Sequence, residues 1–204
     1  IGSRSLDANT TGATNTAVGV DCLGGNTSGS NNTALGSNAL KTNTTGERNI
    51  AIGRSALFAS TTASNNVAVG DEALKTNTTG HRNVAIGARA AELNTTGSSN
   101  VAIGYEVLED NTTGSRNIAL GDSCMELNTE GNDNVAVGHD ALQDNTTGGS
   151  NIAVGSYCLD ANTTGNNNIG IGNSALGANT TASNNVGIGI TALQNNTTGT
   201  SNTA

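Results

Sequence analysis

Catalysis and metal binding need an acid, a base, a nucleophile or a set of ligands converging on one place. The 204-residue chain offers few such groups: His81, His139, Cys22, Cys124, Cys158, and sixteen acidic side chains against eight basic ones. The two histidines are too far apart in sequence to act as a pair by spacing alone. Adjacent acids occur, as Asp71 with Glu72 and Glu109 with Asp110, but neither pair recurs in a pattern, and a hard-cation site needs several converging oxygens. The calcium-binding phrase GGxGxDxUx is absent. These spacings predict a solvated charged face, with no catalytic residue, no metal ligand and no cofactor.

What could position any side chain here is a repeat. The phrase NTTG begins at Asn9, Asn43, Asn77, Asn94, Asn111, Asn145, Asn162 and Asn196, with variants at Asn26, Ser60, Asn128 and Asn179, always at 17 residues or a multiple of it. The unit is NTTGxxNVAIGxxALxx, and its positions are called slots 1 to 17 below. Eleven units run from Asn9 to Asn195 without an insertion. Residues 1–204 therefore read as a single array, and both ends fall in mid-unit, as in a piece of a longer fibrous protein.

Three slots never vary. Slot 7 is Asn throughout, at Asn15, Asn32, Asn49, Asn66, Asn83, Asn100, Asn117, Asn134, Asn151, Asn168 and Asn185. Slot 2 is always Thr, as at Thr78, Thr95 and Thr112, and slot 11 is always Gly, as at Gly87, Gly104 and Gly121. Invariance within one chain marks a constraint that every unit shares. Slots 8 and 10 carry Val, Ile, Leu or Thr around a small residue in slot 9, and this short alternation between Asn and Gly reads as a strand. Slots 14 and 15, mostly Ala-Leu, form a second apolar patch that is either strand or tight turn. A useful helix is excluded, since no unit offers the roughly 12 residues one needs.

Each unit is thus predicted to be one coil of an all-β, parallel β-solenoid of about twelve coils. One coil cannot offset the entropy of ordering 17 residues. Stacking at about 4.8 Å per coil supplies what is missing, with like residues aligned in ladders. The invariant Asn and Thr are read as those ladders, and the slot 11 Gly as a turn with positive φ or a close backbone approach. Each coil is expected to bury three sizeable apolar side chains. Of the 24 charged side chains only Glu130 lies outside slots 5, 6, 12, 13, 16 and 17, so those slots are predicted to face water. Cys22, Cys124 and Cys158 all occupy slot 14 and read as small buried hydrophobes. The nearest two are two coils apart, about 9.6 Å, too far for an intrachain disulfide.

The net charge of −8 repels phosphate backbones and anionic lipid, which argues against nucleic acid as a partner. No run approaches the roughly 20 apolar residues of a spanning helix, so membrane insertion is not expected. The NTT triplets are formal glycosylation sequons, but their Asn would be concealed as ladder members. Aromatics are scarce, leaving Tyr105 and Tyr157, in the exposed slots 12 and 13, as the candidates for surface contact.

The phrase NVAIGxxAL, seen in Asn83–Ala91 with a final Ala and in Asn66–Leu74 as NVAVGDEAL, resembles the head repeats of YadA-type trimeric autotransporter adhesins. The whole unit is also similar to repeats in tail-fibre and adhesin-like structural proteins of phages and large algal viruses. The resemblance implies a left-handed parallel β-roll assembled as a homotrimer. It also implies an extracellular place on a virion fibre or bacterial surface, with a receptor or glycan engaged through a part outside this segment. The present unit is three residues longer than the adhesin unit, and its NTTG segment is additional. The functional expectation is a non-enzymatic structural or adhesive fibre segment supporting host or surface attachment. The alternative is an ice-binding or matrix-binding solenoid. Ice binding is disfavoured because slots 2 and 3 are adjacent and point to opposite sides.

Overall fold

A computed structural model describes residues 1–204. The chain is an all-β parallel solenoid of stacked 17-residue coils. Its strands are β1 (Thr16–Val18), β2 (Thr33–Leu35), β3 (Ile50–Ile52), β4 (Val67–Val69), β5 (Val84–Ile86), β6 (Val101–Ile103), β7 (Ile118–Leu120), β8 (Val135–Val137), β9 (Ile152–Val154), β10 (Ile169–Ile171) and β11 (Val186–Ile188). They form one sheet in chain order, each paired in parallel with the next. The register is the repeat itself, with Val84 opposite Val101 and Ala85 opposite Ala102. A last one-residue bridge joins Val186 to Thr203.

Each strand is slots 8–10, and the rest of each coil is turn. The sheet is consequently a minor part of the hydrogen bonding. Of 141 backbone hydrogen bonds only 20 lie within strands, and most of the others tie one coil to the next around its perimeter. The slot 14–15 patch, open between strand and turn in the sequence, is a turn. Four positions per coil are left-handed: Gly in slot 11 at φ from 132° to 149°, and slots 6, 13 and 15, where Arg82, Arg89 and Ala91 have φ of 59°, 58° and 51°. Non-Gly residues enter this region at a cost of about 1–2 kcal/mol each, so the tight coil is held there by its neighbours.

The core corrects one expectation. Slot 9 points inward and is fully buried at Ala34, Ala51, Ala68, Ala85, Ala102, Ala119, Ala136 and Ala153, together with slots 14 and 15. The larger β-branched residues beside it, in slots 8 and 10, point outward, and Ile86, Ile103 and Ile118 remain about 40% exposed. Apart from Val107 in slot 14, the large buried hydrophobes are all in slot 15. The reason is space, because the interior between the strand and the opposite turn already holds the slot 15 Leu and two Asn side chains. The tightness is local at one enlarged slot 14: beside Cys158, slot 9 of the next coil is Gly170, and a Cβ there would lie 2.5 Å from the Cys158 Sγ. The coil at Asn77–Leu93 makes the converse adjustment. Its slot 15 is Ala91, and the next coil supplies bulk through Val107, whose carbonyl accepts the Ala91 N–H.

A second correction concerns charge. Asp21, Glu92 and Glu109 occupy slots predicted to face water, yet each is only 8% exposed. Slots 13 and 16 lie on the inner side of a turn corner, where one side chain is covered by those of the coils above and below.

Candidate functional site

The geometry at the invariant slots is a set of parallel hydrogen-bond files. The slot 7 carboxamide is used at both ends. Asn100 Oδ1 accepts the Asn117 backbone N–H at 2.9 Å, and Asn100 Nδ2 donates to the Gly114 carbonyl at 2.8 Å. The Asn100 N–H in turn donates to Asn83 Oδ1 at 2.9 Å. Asp could accept but not donate, and Gln would be too long, which accounts for Asn in every coil. The same pattern runs from Asn15 to Asn168, and the slot 7 Asn are buried from Asn32 to Asn185.

Slot 1 makes a second amide file. Asn111 Nδ2 donates both to Asn94 Oδ1 at 2.6 Å and to its own coil's Gly114 carbonyl at 3.0 Å. These buried amides are the Asn of the NTT sequons, so the folded rod conceals them. Slot 2 makes a third file: the Thr112 carbonyl accepts the Thr95 N–H at 3.0 Å, the Thr95 Oγ1 hydroxyl at 2.9 Å and the Thr96 N–H at 3.1 Å. Thr78 and Thr112 make the same bonds to Thr95 and Thr129. The slot 2 hydroxyl is thus spent inside the rod, while slot 3, as at Thr79 and Thr96, is exposed.

A fourth file was not anticipated. In slot 5 the side chain accepts the backbone N–H of the coil before it. The Ser64 N–H donates to His81 Nδ1 at 2.9 Å, and the His81 N–H donates to Ser98 Oγ at 3.0 Å. His81 is therefore a member of a ladder that runs from Glu47 to Asn132, and the signal in the sequence was the run of acceptor-bearing residues Ser64, His81, Ser98, Ser115 and Asn132 in that slot. At slot 11 both proposed reasons for Gly apply together. Gly87, Gly104 and Gly121 have φ of 133°, 143° and 149°, and a Cβ on any of them would fall on the carbonyl of the Gly in the following coil.

Titratable groups concentrate at one place on the turn edge. Arg89 is the shared cation of Glu92, Glu106 and Glu109, with its Nε 2.9 Å from Glu92. The carboxyl oxygens of Glu106, Glu109 and Glu126 lie within 4.8 Å of one another. Burial pushes the Glu109 carboxyl up to about 7, and the neighbouring acids oppose its ionisation further while Arg89 favours it. Burial likewise raises Asp110. The arrangement is an ion-pair network that spans coils, and nucleophile and base are not brought together in it. His139 stands apart, its Nδ1 2.9 Å from Asp140 Oδ2 and its ring edge-on to Tyr157 at 5.4 Å.

Tyr105 and Tyr157 are 53% and 45% exposed but belong to coils three apart, so they do not form one platform. The cysteines are all buried and unpaired, with burial raising Cys124 and Cys158 to about 12.

The outer face of the sheet is a continuous apolar surface. Two files, Thr16 to Val186 in slot 8 and Val18 to Ile188 in slot 10, present β-branched or Leu side chains on every strand without a charged residue. Ten intervals of about 4.8 Å make this ribbon about 48 Å long. No helix is long and apolar enough to cross a membrane. Comparison with protein-family models, with curated proteins and with solved structures yields no match, so the repeat and its geometry are the basis on which function is read.

Proposed function

We propose that this chain is a rigid, non-enzymatic segment of an extracellular fibre, of the kind found in viral tail fibres or bacterial surface adhesins. Its task is mechanical: to hold an attachment element at a distance on a rod stiffened by continuous ladders. The observation that carries the reading is the outward apolar ribbon on an otherwise polar rod. A contiguous apolar patch beyond a few hundred Å² marks an interaction surface. The occupant best suited to this one is a further copy of the same chain, since only a surface with the same rise per coil can match two files of side chains along eleven strands. Three copies closing around an axis parallel to the rod would cover the ribbon on each and leave no open edge for continued growth. The charged turn edges then face water, as suits a long soluble fibre.

Light scattering on the purified chain tests this. A mass of about 60 kDa, three times the 20.1 kDa chain, is the expected result. Replacing Ile86 and Ile103 together by Asp should release folded monomers, since both side chains lie outside the core. A wild-type chain that remains monomeric at micromolar concentration would refute the trimer, and thermal hysteresis in that same sample would favour an ice-binding solenoid instead.

A further inference from the structure

The stack is regular except at one edge. In slot 4, Gly is favoured by packing rather than by φ: a Cβ added at Gly46, Gly80 or Gly97 would fall on the slot 4 carbonyl of the following coil. Ala63 and Ala182 carry that Cβ, and the coils beside them respond. The Thr61 N–H and Oγ1 reach the Thr78 carbonyl at 3.2 and 3.3 Å, and the Thr180 pair reaches Thr197 at 3.4 and 3.5 Å. The other units keep these bonds between 2.8 and 3.1 Å. The slot 3 N–H that shares the same carbonyl is paired in every unit from Thr11 to Thr164 except at Thr62.

At Ala63 a second defect coincides with the first. Slot 1 of that coil is Ser60, the single break in the Asn file. Ser60 and Asn43 are both fully buried, and Ser60 Oγ and Asn43 Oδ1 have no hydrogen-bond partner. Asn77 Nδ2, which would donate to a slot 1 amide, reaches only its own Gly80 carbonyl. The Ala182 coil keeps its amide file, with Asn179 Nδ2 donating to Asn162 Oδ1 at 2.9 Å, so the wedge alone does not break that ladder. Meanwhile the opposite side of the Ser60 coil stays tied to the coil that follows, Val67 N–H to the Asn83 carbonyl at 2.8 Å and Leu74 N–H to the Ala90 carbonyl at 3.0 Å.

We infer that the edge between Ser60–Ala63 and Asn77–Gly80 is a built-in yield point, which opens on one side while the sheet beside it remains paired. Loss of contact on one edge with retention on the other makes the rod bend there, so the fibre flexes at a fixed place along an otherwise uniform stack. The unpaired buried Ser60 hydroxyl and the missing Asn77 Nδ2 ladder bond lower the cost of opening, because the hydroxyl gains hydrogen bonds to water and one bond fewer has to break when the edge parts. Regions with few satisfied bonds open at lower free energy than the rest of the molecule.

Native-state hydrogen exchange of the intact chain tests the inference. The Thr61 amide should exchange at least tenfold faster than the Thr95 and Thr112 amides, while the Val67 amide stays as protected as Val84. Ser60→Asn together with Ala63→Gly, which restores the consensus edge, should bring Thr61 to within threefold of Thr95. Ser60→Asn alone should recover part of the protection, because Asn179 beside Ala182 demonstrates that the two side chains fit in one coil. Thr61 protection within tenfold of Thr95 in the wild type, Val67 exchanging as fast as Thr61, or a double variant that leaves Thr61 unchanged would each overturn it.

Discussion

Removing one amide from the middle of the slot 7 file measures how much the ladder holds. In Asn100→Ala the Asn117 N–H loses its only partner inside a coil where Asn117 is fully buried. Leaving a buried donor unmatched costs about 1–3 kcal/mol. The Gly114 carbonyl loses the Asn100 Nδ2 bond but keeps the one from Asn111 at 3.0 Å, so that side adds only about 0.5–1.5 kcal/mol. The two together give a destabilisation of about 1.5–4.5 kcal/mol. Asn100→Asp separates donor from acceptor. Its carboxylate can still accept the Asn117 N–H but sets a second oxygen against the Gly114 carbonyl. Below its pKa it carries a proton that can be donated there instead. The folded-state pKa of the introduced Asp is therefore raised above its unfolded value of about 3.9, and the stability this provides is present at acid pH and lost as pH rises through the folded value. Because coils of a solenoid unfold with a strong nearest-neighbour dependence, the comparison belongs in denaturant titrations of the full chain at pH 3.5 and pH 7.5, with wild type measured beside each variant. Asn100→Ala should be weakened at both pH values and Asn100→Asp mainly at the higher one. A loss below about 1 kcal/mol for the Ala variant, or an Asp variant no better than Ala at acid pH, would show that the amide file is not what locks the coils.

Further outcomes follow from the other positions. Gly104→Ala should prevent folding or lower the melting temperature far more than Gly165→Ala, since slot 11 combines a φ of 143° with a blocked Cβ position whereas slot 4 already accepts Ala at two places. Thermal melts followed by circular dichroism compare them directly. Glu109, raised to about 7 by burial, binds its proton more tightly in the folded rod, so its contribution is full below the ordinary carboxyl range near 4.5 and is lost as pH rises through about 7. Glu109→Gln should flatten the stability profile between those values, and carbon-13 NMR of the wild-type carboxyl should give a midpoint near 7. The thiols of Cys124 and Cys158, pushed up to about 12, should resist alkylation at pH 8 in the native rod and react once the chain is unfolded in guanidinium.

The path of the chain was legible because the repeat fixes the phase of every residue. The strand in slots 8–10, the parallel stacking and the Gly turn each follow from the order Asn, β-branched, small, β-branched, Gly. The slot 7 amide file and the Thr file reveal themselves as unvarying polar residues, and the slot 1 amide file as an Asn that only Ser60 interrupts. Side-chain direction was less legible. Alternation states that slot 9 opposes slots 8 and 10 but not which set faces inward, and hydropathy alone favours the larger pair. What decides it is interior volume, which depends on how closely the slot 14–15 turn approaches the strand. That approach is set by left-handed residues in slots 13 and 15. Arg89 and Leu74 at φ of 58° and 50° carry no compositional mark of that conformation, whereas Asn31, Asn65, Asp133, Asn167 and Asn184 in slot 6 do. The buried carboxylates were hidden for a related reason: the corner that covers Glu92 and Glu109 exists only once consecutive coils are superposed.

The narrow interior and the apolar exterior are one consequence of a short coil. With three strand residues per turn, a single inward side chain comes from the sheet in each coil. Ala there lets the opposite turn close down until its backbone can bond the coils above and below. Any larger residue would hold the walls apart and strand the carbonyls that the slot 1 and slot 7 amides now reach. At Gly170 a Cβ would lie 2.5 Å from the Cys158 Sγ, so there the walls leave no room even for the Ala methyl. The strand's apolar residues are then left outside, where their β-branching still suits the pleated surface but their burial requires another chain. A coil this small is therefore stable along its axis through its ladders and incomplete across it. Widening one coil at slot 9, as in Ala102→Val, should disturb the files at Asn100 and Asn111 before it disturbs the outer face. The chemical shifts of those two side-chain amides would report the order of events. Shifts confined to the Val101 and Ile103 methyl groups would mean that the interior has slack and that the outward placement of the β-branched residues needs a different cause.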